Sequence, residues 1–293
     1  MRNLSVKTLI AGAAGALAFS FGLATPAFAQ ERVASLGGDL TEIIYALGEG
    51  DRIVATDTTS VYPLSALATP KVGYVRQLSA EGVLSVEPDL ILISGAAGPD
   101  TALDQIRATG VSIVEMETEY TVDAILNKTR RVAEALGVEE KGEALAAEIE
   151  ADWAAAQVDI GALPDNPSVL FFSTVSDGSP TAAGKETAAQ GVIDMLGGEN
   201  VFGDRLGYKP ISLEAAVAAD PDIILVMNFV AARMGGLEAV ADHPAISLTT
   251  AAQTGRIFMI DAVQVMQFSP RTPKATGALA AEIKAALEEV DGT

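Results

Sequence analysis

The residue types best able to do chemistry recur in one short pattern. Gly73-Tyr74-Val75-Arg76 and Gly207-Tyr208-Lys209 each set a tyrosine and a cation side by side, just upstream of a serine and a short helical stretch. A phenol that gives up its proton becomes a hard oxygen donor suited to ferric iron. A guanidinium two residues away, as Arg76 is from Tyr74, favours the phenolate over the phenol. A tyrosine can equally pack under a loop with its hydroxyl in water, and composition leaves both roles open. If the two loops face each other, two rings and two cations would suit a flat, anionic, aromatic ligand, stacking on its faces and pairing with its carboxylates.

Most other chemistries are closed to this chain. It has no cysteine, which removes thiolate metal sites, iron–sulfur clusters and cysteine nucleophiles. Its one histidine, His243, cannot build a multi-histidine metal cage and reads as an exposed residue of an Asp-His-Pro turn. A hydrolase would need a histidine base and a Gly-x-Ser-x-Gly elbow, and the second is missing, so no enzyme is expected. Gly37-Gly38 lacks the further glycines of a nucleotide fingerprint. With 19 Lys and Arg against 39 Asp and Glu, the formal charge of −20 argues against nucleic acid. Trp153, Met227 and Met266 read first as core residues, with the methionines as the alternative lining of an apolar pocket.

The elements that must position these residues follow from hydrophobic periodicity. Residues 1–29 have a short basic start (Arg2, Lys7), an apolar run over 9–24 and Ala27-Phe28-Ala29, the layout of a cleaved signal peptide. Its removal takes away two positive charges and no negative one, leaving 264 residues at −22. Strands are predicted over 32–36, 53–56, 90–93 and 111–114, with helices over 39–47, 79–86 and 100–109. This is the alternation of an α/β domain with a mainly parallel sheet. The stretch 121–157 reads as a long helical bridge that Gly137 and Gly142 either kink or divide, and a second α/β series begins at Val169.

An internal repeat supports two lobes. Leu78-Ser79-Ala80-Glu81 precedes Pro88-Asp89-Leu90-Ile91-Leu92, and Ile211-Ser212-Leu213-Glu214 precedes Pro221-Asp222-Ile223-Ile224-Leu225, offset by 133 throughout. Each copy is a serine N-cap, a short helix, a Pro-Asp break and a buried strand. The expected layout is a signal peptide (1–29), a first lobe (30–120), the bridge (121–157) and a second lobe (158–293), with a ligand cleft between the lobes.

Val72-Gly73-Tyr74-Val75-Arg76-Gln77-Leu78-Ser79-Ala80-Glu81-Gly82 resembles the signature of periplasmic haem-binding proteins that serve ABC-type haem importers. Ala182-Ala183-Gly184, Gly207-Tyr208-Lys209-Pro210-Ile211-Ser212 and Phe268-Ser269-Pro270-Arg271-Thr272-Pro273 resemble the same family, so the likeness covers the chain beyond the leader. The resemblance implies two α/β lobes bridged by one long helix, with haem b carried as cargo in the cleft. It implies Tyr74 as axial iron ligand, with Arg76 hydrogen-bonded to the phenolate. Tyr208 and Lys209 would contact the haem, and Arg233 would face its second side or a propionate, with a plain surface arginine as the alternative. Glu81 and Glu214 would dock the lobes onto the permease of an inner-membrane transporter driven by its ATPase. An outer-membrane haem receptor would act upstream of this periplasmic, monomeric carrier. The stretch Phe172 to Gly178 lacks a histidine that some relatives carry there, which implies five-coordinate iron or a weak sixth ligand. The alternative cargo is another iron chelate such as a ferric siderophore, which has no need of an axial tyrosinate.

Overall fold

The computed structural model describes residues 32–291 except 177 and 178, so the expected signal peptide lies outside the described residues. The first sheet is built from β1 (Val33–Leu36), β2 (Ile53–Thr56), β5 (Leu90–Ser94) and β6 (Ser112–Met116), all parallel in the order β2-β1-β5-β6. Between them come α1 (Gly38–Ala46), a small hairpin of β3 (Gly73–Tyr74) and β4 (Gln77–Leu78), α2 (Ala80–Leu84) and α3 (Asp100–Arg107). The sheet is covered on both faces, which is why its central strands are unbroken apolar runs rather than alternating ones. Leu90 and Leu92 pack with Leu40, Ile43 and Ile44 of α1. Ile91 and Ile93 point the other way, onto Val83 of α2 and Leu103 and Ile106 of α3.

The expected single bridging helix is two helices, α4 (Val122–Leu136) and α5 (Glu139–Ile160). The break falls at Gly137, whose left-handed φ of 68° ends α4 in a conformation that glycine adopts without steric cost. Gly142, the other candidate break, lies inside α5, where a side chain would collide with Ala133 of α4. It lets the two helices pack closely and does not divide them. Trp153 on α5 packs, partly buried, against the core of the second lobe, as its spacing from Ile149 predicts.

The second sheet carries β7 (Ser168–Ser176), β8 (Ser179–Ala183), β9 (Glu199–Asn200), β10 (Tyr208–Pro210), β11 (Ile223–Met227) and β12 (Ile257–Ile260). Its helices are α6 (Ala188–Met195), α7 (Leu213–Ala219), α8 (Asn228–Met234), α9 (Leu237–Ala241), α10 (Thr250–Gln253), α11 (Ala262–Met266) and α12 (Thr272–Asp291). The parallel strands repeat the first lobe: β9, β7, β11 and β12 pair as β2, β1, β5 and β6 do. β5 and β11 have the same limits at the offset of 133 read from the sequence. The serine caps match too. Ser79 Oγ accepts from Gly82 N (3.3 Å) and Ser212 Oγ from Ala215 N (3.1 Å).

What the second lobe adds is an antiparallel ribbon, with β8 on β7 and β10 on β8. The two Gly-Tyr pairs therefore sit on different structures. Tyr74 belongs to a free-standing hairpin and Tyr208 to the edge strand of a six-stranded sheet.

Candidate functional site

The carboxyl ends of parallel strands leave a crevice where chains enter helices, the usual ligand position in open α/β sheets. Here the ends of both sheets contribute to one cleft of 220 Å³. Gly37, Gly38 and Asp39 follow β1, Ser94 ends β5, and Glu117 to Tyr120 follow β6; Met266, Gln267 and Phe268 come from the second lobe beyond β12. The hairpin supplies Tyr74, Val75 and Arg76. Met266 thus lines the cleft, whereas Met227 packs against the second lobe's core.

Backbone bonds on two sides fix the hairpin. Thr58 N donates to Gly73 O (2.9 Å), Gly98 N donates to Val75 O (2.9 Å), and Leu78 N donates to Gly98 O (2.8 Å). Val75 is the buried anchor of the turn, and Tyr74 is left 41% exposed toward the cleft. Arg76 at the tip has no carboxylate partner among the described residues. An accessible phenol and a guanidinium with no carboxylate partner among the described residues therefore share one hydrogen-bonded hairpin.

The floor is net negative rather than cationic. Lys128 of α4 is buried and ion-paired with Asp39 at the start of α1, and it also donates to Phe268 O at 3.2 Å. Glu117 and Glu119 add negative charge beside it. Gly38 is a close-approach position where a side chain would strike Thr59 O and the Gln267 side chain. Gly37-Gly38 thus reads as backbone geometry at the meeting of the lobes.

Tyr208 stands next to this cleft. Burial raises its phenol pKa above the ordinary value, and the neighbouring Tyr120 adds to the rise. The Ala189 backbone, the Thr187 side chain and Arg76 act in the opposite direction. Its hydroxyl end is therefore kept protonated within electrostatic reach of two residues of the opposite wall. Tyr120 in turn tilts against Phe268, with ring centroids 5.2 Å apart.

The structure brings Tyr74, Arg76 and Tyr208 together but not all of the residues singled out in the sequence. Lys209 is exposed and follows Tyr208 on a strand, so the two side chains leave opposite faces. Arg233 is exposed in the last turn of α8 and does not line the cleft. Glu81 and Glu214 are exposed in the first turns of α2 and α7, at matching places in the two lobes. His243 corrects the expectation of an exposed residue: it is half-buried, its ring meets Phe172 edge-on at 5.5 Å, and Nδ1 accepts from Ala245 N at 3.1 Å. Tyr120, Lys128 and Phe268 were missed as cleft residues. Tyr120 carried a signal, lying just beyond a parallel strand where α/β sites collect, and Phe268 opens one of the motifs singled out in the sequence.

The sequence profile described as periplasmic binding protein matches residues 33–263. The periplasmic heme-binding protein RhuT from Roseiflexus sp. RS-1, solved in apo form, is 38% identical with a TM-score of 0.81, covering 87% of this chain and 98% of that one. The periplasmic heme-binding protein BhuT, solved in complex with two hemes, is 37% identical with a TM-score of 0.83, covering 88% and 99%. The vitamin B12-binding protein of Yersinia pestis (strain Pestoides F) is 30% identical over 210 residues, 70% of this chain and 72% of that one.

Proposed function

The chain belongs to the periplasmic binding protein family, and we propose that it binds haem b in the cleft beside Tyr74 and delivers it to an inner-membrane ABC permease and its ATPase. The observation that carries this reading is the hairpin that places Tyr74 and Arg76 on one rigid turn facing the cleft. The Tyr74 phenolate is the axial ligand to ferric iron, and Arg76, which has no carboxylate partner among the described residues, stabilises the phenolate and lowers the proton cost of ligation. Tyr208, held neutral, lends its ring and not its oxygen as a charge. Glu117 and Glu119 on the floor repel carboxylates, so the propionates point to the mouth of the cleft. Glu81 and Glu214, one per lobe, are the contacts offered to arginines of the permease, and the site of action is the periplasm after export.

Absorption titration of the leaderless protein with haemin tests this. A saturable Soret shift with a high-spin tyrosinate charge-transfer band is expected, and Tyr74→Phe abolishes the band. Arg76→Ala keeps the band but weakens binding about 10- to 100-fold, as loss of a ligand's hydrogen-bonded partner does. The absence of a saturable shift near stoichiometric haemin would refute the reading. The second reading is another metal chelate, cobalamin or a ferric siderophore, favoured by the similarity to the vitamin B12-binding protein. It predicts saturable binding of that chelate with no dependence on the Tyr74 hydroxyl.

A further inference from the structure

The cleft wall contributed by the second lobe, Met266 to Phe268, is fastened to the first lobe and to α4 by a row of contacts separate from the Tyr74 hairpin. Gln267 Nε2 donates to Thr59 O at 3.0 Å, and Lys128 Nζ donates to Phe268 O. One step along the chain, Ser269 Oγ donates to Glu42 Oε1 at 2.8 Å. Two further on, Arg271 grips the same carboxylate with both prongs, Nε to Oε1 at 2.8 Å and Nη2 to Oε2 at 2.7 Å. Its guanidinium also lies 3.4 Å from the centre of the Tyr62 ring. Glu42 is 3% exposed on α1, deep enough that its charge must be paired to be tolerated. Burial works against the Arg271 charge, but Glu42, helped by Tyr62 and Asp261, outweighs it and pushes that pKa up. Phe268 itself holds a left-handed φ of 52°, a conformation a bulky residue keeps only when its surroundings impose it.

We propose that Glu42 is the hub of an interlobe latch, a positioning residue that clamps Gln267–Arg271 to the first lobe and so fixes the Met266–Phe268 wall opposite Tyr74 and Arg76. Every latch contact joins a residue of 267–271 to one from β1–α4, so the two walls of the cleft move only if the latch slips. The Phe268-Ser269-Pro270-Arg271 segment singled out in the sequence then acts through the geometry of the cleft and not by touching cargo with its arginine. The latch is independent of what the cleft holds, while its effect on haem affinity rests on the reading above.

The test exploits the absence of cysteine from the chain. Gln105→Cys on α3 and Glu238→Cys on α9, both exposed, carry one spin label per lobe, and the distance distribution is measured by pulsed electron double resonance. The parent should give one narrow distribution. Glu42→Gln, which keeps the shape but not the charge, should broaden it. Haemin affinity should fall about tenfold with a faster off-rate, and the tyrosinate band should persist because the Tyr74 hairpin is anchored within the first lobe. Arg271→Lys keeps the charge but loses the two-pronged grip and should broaden the distribution less. It decides the question if Glu42→Gln fails to fold. Distributions that overlay the parent's in folded protein overturn the latch. Haemin titration of the parent separately decides the haem reading.

Discussion

Tyr74 and Tyr208 are the same residue type after the same glycine, yet they stand in different surroundings, one on a free-standing hairpin and one on a sheet edge. Both side chains are partly exposed: Tyr74 stands beside Arg76, which has no carboxylate partner among the described residues, whereas desolvation of the Tyr208 phenol raises its pKa and keeps it protonated. Tyr208→Phe should therefore leave the tyrosinate band intact and change haemin affinity only modestly, in contrast to Tyr74→Phe; loss of the band in both would show that the phenols share the iron. His243 makes a second prediction at this scale. Burial lowers its pKa, so the folded state holds it neutral with Nδ1 accepting a backbone N–H. As pH falls below about 6.5, the unfolded chain takes up the proton first and stability declines through that window. His243→Asn can keep the acceptor without titrating, and should show a smaller loss of Tm between pH 7.5 and 5.5.

At the scale of elements, the chemistry depends on how short segments are ended. The two-residue turn Val75-Arg76 closes a six-residue hairpin pinned at Thr58 and Gly98, and these bonds fix where Tyr74 and Arg76 stand at the cleft. The serine caps start α2 and α7 in register across the lobes and leave Glu81 and Glu214 in exposed first turns. Charge reversal at both, Glu81→Lys with Glu214→Lys, should abolish haem uptake in cells while leaving haemin binding by the purified protein unchanged. Intact uptake would dismiss the docking role. Gly137 ends α4 with positive φ, and Gly137→Ala should cost about 1 kcal/mol in urea unfolding. An unchanged midpoint would mean that the joint tolerates a non-glycine residue.

Across the whole molecule, the charge of −20 cannot be what attracts an anionic cargo. On the proposed reading attraction is local, at Arg76, while the floor pairs Lys128 with Asp39 and adds two glutamates. The lobes are joined by two packed helices and by the Glu42 cluster, so little hinge motion is available. Small-angle scattering should show almost no change in radius of gyration when haemin is added, and a marked compaction would contradict a preassembled cleft.

Much of this was legible in the chain itself. Strand and helix limits followed from apolar runs and serine caps because those signals are local, and the offset of 133 carried from sequence to matching strands. The absence of cysteine and the single histidine narrowed the iron donors to oxygen before any geometry was known. Other features depended on the packed chain. The long helical stretch kept its propensity through Gly142 and lost it at Gly137, because close packing and left-handed backbone ask different things of the same residue. The likeness of the two Gly-Tyr pairs concealed their different settings, since an edge strand exists only once β8 has paired with β7. Lys209 left the cleft through strand alternation, and Tyr120, Lys128 and Phe268 entered it through contacts between residues far apart in the chain. Local pattern thus determined most of the elements and narrowed the candidate ligand atoms to oxygen. Only the packing of the two lobes decided which side chains share the cleft, because burial, pairing and protonation at each position depend on neighbours that the chain brings from the other lobe.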